Sequence, residues 1–177
     1  MKTFYWRLIP LAIFALLVMF FWRGLSLEPQ KLPSVQLGKS LPDFSLPMLN
    51  DEKPLTPAAM QGRVVLLNVF ASWCSACAQE QVFLMKLSRE TFPIYGINYK
   101  DKRENATRWL SEWGNPFLGI GEDKEGKLAI DLGVYGTPET FLIDKKGIIR
   151  YRHVGILDEK VWQKDFLPRI QLLQGDA

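Results

Sequence analysis

The chain has 177 residues, enough for one compact domain with a sizeable core and an appendage. Its formal charge is +3, and three of its 22 basic residues (Lys2, Arg7 and Arg23) precede the first acid, Glu28, so the body is electrically balanced and lacks the basic excess expected of a nucleic-acid-binding domain. Two cysteines and one histidine exclude a scaffold of several disulfides, and they exclude a tetrahedral Cys/His zinc site within one chain.

Leu8 to Trp22 is 15 residues without a charge, and Phe4–Trp6 extend the apolar stretch beyond Arg7. A membrane span needs about 20 such residues, and Arg7 can snorkel to the headgroups. The basic start and apolar middle also suit a cleaved signal peptide, but Arg23-Gly24-Leu25-Ser26-Leu27 offers no small-x-small cleavage site. Residues 1–23 therefore read as an uncleaved, single-pass anchor. Lys2, Arg7 and the α-amine favour an inside N-terminus, with Arg23, Lys31 and Lys39 weighing against it. Residues 24–36, with Pro29 and Pro33, read as an extended tether to a domain over 37–177.

Asp43 to Gly62 reads as a short hairpin and turn, because Pro42, Pro47, Pro54 and Pro57 forbid long regular elements. Val64–Phe70 is nearly all apolar and β-rich, the pattern of a central strand buried on both faces with helices either side. Residues 75–90 follow as a helix with Phe83 and Leu87 at i, i+4, and Ile94–Tyr99 is a second strand. Asp101 and Glu104 resemble a capping box opening a helix that carries Ala106, Trp109, Leu110 and Trp113 on one stripe. Lys127–Leu132 predicts a short helix ended by Gly133 at C′. Thr140–Asp144 and Ile148–Val154 flank Lys145-Lys146-Gly147 as a hairpin. Asp158 caps a last helix with Val161, Phe166, Leu167, Ile170 and Leu173 facing inward. The order β-α-β-α-(α)-β-β-α predicts an α/β sandwich with a mixed sheet.

Cys74-Ser75-Ala76-Cys77 sits where the buried strand gives way to a helix. A thiol attacks as thiolate, and a helix N-terminus lowers its pKa. Cys74 is then the exposed nucleophile, and Cys77, one turn on, can resolve a mixed disulfide. The competing readings are a metal half-site, which needs a partner chain, and two inert core cysteines. The placement favours redox chemistry.

Phe70-Ala71-Ser72-Trp73-Cys74-x-x-Cys77 resembles the active-site stretch of the thioredoxin superfamily. With Gly133–Asp144 (GVYGTPETFLID), Ile97–Asp101, Gly114-Asn115-Pro116 and Ile148–His153, the chain closely resembles the TlpA-like cytochrome c maturation thioredoxins of the CcmG/DsbE family over residues 37–170. The resemblance implies a thioredoxin-like three-layer sandwich, a mixed sheet flanked by helices. It implies a domain held on the periplasmic side of the cell inner membrane by the N-terminal transmembrane helix. It further implies a thiol–disulfide reductase acting on the haem-attachment cysteines of apocytochrome c, directly or through cytochrome c maturation proteins. Electrons would come from a DsbD-type membrane donor, and no cofactor, metal or nucleic acid is implied.

Carried over by residue, Cys74 is the attacking cysteine, Cys77 the resolving one, and Pro138 the cis-proline facing the disulfide. A cis bond there leaves the Thr137 backbone free to pair with an extended substrate, with Trp73, Tyr135 and Glu139 beside it. Tyr135 also suits a core position with a satisfied hydroxyl. Glu80, at i+3 from Cys77, matches a family acid that handles the resolving cysteine's proton; a solvated helix glutamate is the bland alternative. Glu139 would oppose thiolate formation and favour a reductant, unless it is merely a strand charge. Trp109, Trp113 and Trp162 read as core, and His153 as structural or surface.

Ser75-Ala76 departs from the family's Pro-Thr and removes a rigid helix start, and Thr137 stands where alanine is common. Competing activities are a general TlpA/ResA-type periplasmic reductase, a disulfide-forming oxidant, and a thioredoxin-fold copper metallochaperone. The metallochaperone would want CxxxC and a distant histidine ligand. A peroxidase would want threonine where Ala71 stands.

Overall fold

The computed structural model describes residues 2–25 and 36–175, with side chains described over 9–23 and 36–175. Helix α1 spans Lys2–Leu25 and is a unit separate from the body. Among the described residues no helix is long and apolar enough to cross a membrane, so the span expected over 1–23 is not established by them. Most of the expected tether, residues 26–35, lies outside the described residues.

The body is built on β1 (Val65–Phe70), whose six residues are all buried. Strand side chains alternate between faces. Leu66 and Phe70 join one core layer, and Val65, Leu67 and Val69 join the other. β2 (Ile94–Tyr99) pairs parallel with β1, and β3 (Gly119–Asp123) parallel with β2. β4 (Glu139–Ile143) runs antiparallel to β1, and β5 (Ile149–Val154) antiparallel to β4. The sheet order is β3-β2-β1-β4-β5, the mixed sheet of a thioredoxin-like fold.

One face packs against α2 (Ser75–Arg89), α3 (Arg103–Trp113) and the C-terminal helical segment through Leu84, Leu87, Trp109, Phe166 and Ile170. The opposite face is covered by the 41–60 segment and α4 (Lys127–Asp131), through Leu55, Met60, Leu128 and Leu132. The expected hairpin is present as the antiparallel bridge Leu46–Leu55. Gly133 takes φ +72 just past the C-cap Leu132, so the chain turns into the Val134–Pro138 loop as its sequence predicts.

Three elements differ from expectation. β3 carries no apolar strand signal because Gly119 and Gly121 must be small: a Cβ on Gly121 would stand 2.9 Å from Leu46 Cδ1. The stripe on α3 ends before Trp113, which is 49% exposed as the last residue of the helix. The last helix is three pieces, α5 (Glu159–Val161), a π-turn (Trp162–Phe166) and α6 (Leu167–Gly175). Pro168 has no N–H to donate back into the ladder, which accounts for the irregular turn immediately before it. Asp158 does cap it, Oδ1 accepting from Val161 N at 2.8 Å.

Candidate active site

β1 ends at Phe70, residues 71–73 turn the chain, and Cys74 is the N-cap of α2. Cys74 and Cys77 form a disulfide with their Cα atoms 5.3 Å apart. Cys74 Sγ also accepts a hydrogen bond from Cys77 N–H at 3.0 Å. This is the group that stabilises negative charge on sulfur when the bond is reduced. Cys74 is less open than expected, with 6% of its surface exposed against 1% for Cys77, because the N-cap position folds its sulfur back over the first helical turn. The asymmetry still favours attack from outside on Cys74.

Asp101 holds the turn before Cys74, not the start of α3. Its carboxylate accepts from Ser72 N (2.7 Å), Ser72 Oγ (3.0 Å), Asn98 Nδ2 (3.0 Å) and Lys102 N (2.8 Å). The N-cap of α3 is Lys102, without a side-chain cap. The capping-box reading therefore fails: the Ser72 N–H and hydroxyl compete for the same oxygens and are held by them. Trp73 Nε1 donates to Lys100 O at 3.2 Å, leaving the indole 59% exposed in front of the cysteines.

The Thr137–Pro138 peptide is cis, and Pro138 and Glu139 are buried. Tyr135 is 57% exposed and is not a core tyrosine; its ring lies under the Arg152 guanidinium, 5.0 Å from the centroid. Glu139 lies opposite Val69 in register and points with it to the sheet face away from α2. It is paired with Arg152 Nε at 2.6 Å and accepts from Tyr135 N at 3.1 Å. The bare charge expected to oppose thiolate formation is thus an ion pair on the far face. Arg152 also donates to Gly133 O at 2.9 Å, which fixes the loop carrying Tyr135. His153 faces Phe166, with Nε2 3.1 Å from Ile156 O, a structural position.

Glu80 is 1% exposed in the core layer that also holds Cys77, one turn back along α2. Its Oε1 accepts from Asn68 Nδ2 at 2.8 Å and its Oε2 from Leu157 N at 2.9 Å. Burial raises its pKa from the ordinary 4.5 to about 7, the two hydrogen bonds opposing the shift without cancelling it. It is no solvated helix glutamate. Asn68 also donates to Thr140 Oγ1 at 3.0 Å. The sequence pointed to none of Asn68, Asp101, Thr140 or Arg152 as part of the site. The one polar residue inside an otherwise apolar central strand was the available signal for Asn68.

A cysteine capping a helix and disulfide-bonded to a second cysteine one turn on, a cis-proline loop and a buried acid pushed up to about 7 define a thiol–disulfide oxidoreductase on a thioredoxin-like fold. The Redoxin family model matches residues 36–165. The chain is 46% identical over 169 residues to the thiol:disulfide interchange protein DsbE of Pseudomonas fluorescens biotype C, covering 96% of this chain and 95% of that one. It is 44% identical over 168 residues to DsbE of Escherichia coli K12, covering 91% of each. Among solved structures, a Chlorobium tepidum protein assigned to DsbE superposes with TM-score 0.66 at 28% identity, over 78% of this chain and 97% of that one. A thio-disulfide isomerase of Thermus thermophilus gives TM-score 0.62 at 25% identity, over 76% and 96%. The chain belongs to the DsbE family of thiol:disulfide interchange proteins.

Proposed function

We propose that the chain is the reductant of apocytochrome c haem-attachment disulfides, working on the periplasmic side of the inner membrane and held there by its N-terminal segment. The observation that carries the reductive direction is Glu80. A buried carboxyl poised near neutrality beneath the resolving cysteine suits a step in which Cys77 must lose a proton before it can release a reduced substrate. In that cycle Cys74 thiolate attacks one sulfur of the substrate disulfide, and the other leaves as thiolate and is protonated. Cys77 gives its proton to Glu80 and attacks Cys74 Sγ. The substrate's second sulfur leaves as thiolate and takes up the proton that Glu80 returns. The substrate so departs as a dithiol and the enzyme keeps the Cys74–Cys77 disulfide, which a membrane dithiol donor of the DsbD type reduces for the next round. Maturation proteins of the same pathway would present the substrate to the surface around Trp73, Tyr135, Thr137 and Pro138, where an extended segment can pair with the Thr137 backbone.

Deleting the gene should abolish holocytochrome c, with recovery on adding a small thiol reductant or the wild-type gene but not Cys74→Ala. Normal c-type cytochromes in the deletion strain would overturn the assignment in favour of a general disulfide reductase. Tethering is tested separately. The chain should stay with membranes after alkaline extraction, with its body open to protease from the periplasmic side, and release by alkali would remove the anchor.

A further inference from the structure

Both oxygens of Glu80 receive a hydrogen bond, from Asn68 Nδ2 at 2.8 Å and from Leu157 N at 2.9 Å. That arrangement suits a carboxylate, which only accepts. It does not suit the acid, whose O–H would meet an N–H at either oxygen. A group that takes up and returns a proton needs a partner able to change with it.

The two donors differ in what they can do. Leu157 N–H is main chain on a fully buried residue, so withdrawing it from Glu80 would strand a buried donor. Asn68 only has to turn its carboxamide. Its Nδ2 serves both Glu80 Oε1 and Thr140 Oγ1, while its Oδ1 is buried with no hydrogen-bond partner among the described residues, so none of them ties the carbonyl to its present side. The Thr140 hydroxyl can accept or donate.

We propose that Asn68 is a positioning residue whose carboxamide makes a half-turn each time Glu80 gains or loses its proton. In the ionised site Nδ2 donates to Glu80 and to Thr140. In the protonated site Oδ1 accepts from the Glu80 O–H and from the Thr140 O–H. Each state has two hydrogen bonds, the half-turn exchanging an unpartnered Oδ1 for an unpartnered Nδ2 at the same place, and the Leu157 bond persists throughout. One proton leaves Cys77 sulfur and one arrives on the Glu80 carboxyl; the amide gains none and loses none. This rests on the reading of Glu80 as acceptor of the resolving cysteine's proton. Other ionisable groups on this side of the sheet include Tyr151 and His153 on β5, with His153 opposite Thr140 in register, and Asp165 and Arg169 of the C-terminal helical segment beside Tyr151; Cys77 on α2 is held in the disulfide. Asp158, next to Leu157, is exposed and occupied as the helix cap. Glu139 and Arg152 lie on the far face.

The test is proton NMR on the full-length oxidised chain, with asparagine side-chain nitrogen and threonine methyl labels. At about pH 8.5, above the Glu80 transition, the Asn68 amide protons should show a cross-peak to the Thr140 methyl, and at about pH 5.5 they should lose it, with one midpoint shared by the Glu80 carboxyl carbon. Glu80→Gln must keep its carbonyl on Leu157 N–H and so aims its own amide at Asn68. In that variant the low-pH pattern should hold at every pH. The same cross-peak on both sides of the transition, the high-pH pattern in Glu80→Gln, or a pH response that survives in Glu80→Gln, would each overturn the proposal. None of these readouts depends on which substrate the enzyme reduces.

Discussion

Replacing Glu80 with glutamine should flatten the pH dependence of stability of the oxidised protein. In the unfolded chain Glu80 releases its proton near the ordinary 4.5, but in the fold it does so near 7 because burial disfavours the charged form. Below 4.5 both states are protonated and the native site is undisturbed. Between the two values the unfolded chain alone gives up the proton, so stability falls as pH rises, and above about 7 the loss is complete. At about 1.4 kcal/mol per tenfold change, the loss attributable to this one group is roughly 3 kcal/mol. The assay is urea denaturation of wild type and Glu80→Gln, both oxidised, at half-unit steps from about pH 4.5 to 8. Other titrations contribute to both curves and cancel in their difference. The variant can be less stable than wild type at the acid end; the slope is the quantity read. Parallel curves would refute the claim that Glu80 is held as a buried acid near neutrality.

Cys77→Ala should accumulate mixed disulfides with substrate on non-reducing gels and Cys74→Ala should not, since only Cys74 caps the helix, with its sulfur accepting the Cys77 N–H; the reverse pattern would exchange their roles. Arg152→Met leaves the fully buried Glu139 without its ion-pair partner and should cost about 3–5 kcal/mol in urea denaturation, most of it recovered in Arg152→Met/Glu139→Gln. Asp101→Ala removes the acceptor of four hydrogen bonds and should cost about 2–3 kcal/mol while slowing disulfide reduction, with Cys74 no longer held in its turn. An unchanged exchange rate in Asp101→Ala would confine that carboxylate to a purely structural role.

The parts of the site legible in the chain are those whose signal is local. Val64–Phe70 announces a two-faced strand because burial on both sides leaves no polar alternation, and the CxxC pair announces its chemistry because it follows that strand directly. Gly133 marks a helix end that is present. β3 was missed because its glycines answer to Leu46 and Met48, which lie some 70 residues earlier, and not to any periodicity of its own. Asp101 was misread for a related reason: a short acid before a helix usually caps it, but here Ser72, across the sheet's end, supplies stronger demand. The Glu139–Arg152 pair follows from the hairpin register, in which Arg152 sits opposite Phe141 and diagonal to Glu139.

Spacing and position alone marked Cys74 and Cys77 as a redox pair, because the sequence places them where a buried strand, after the short turn 71–73, gives way to a helix. What only the packed structure decided is which acids matter to them. Glu80 and Glu139 carry the same carboxyl, one on the cysteine helix and the other directly after the cis-proline. Burial against Asn68 and Leu157 turns the first into a group that titrates near neutrality, and Arg152 turns the second into a neutralised strut on the other face. A side chain's charge state depends on what surrounds it in space, and that environment is assembled from strands far apart in sequence.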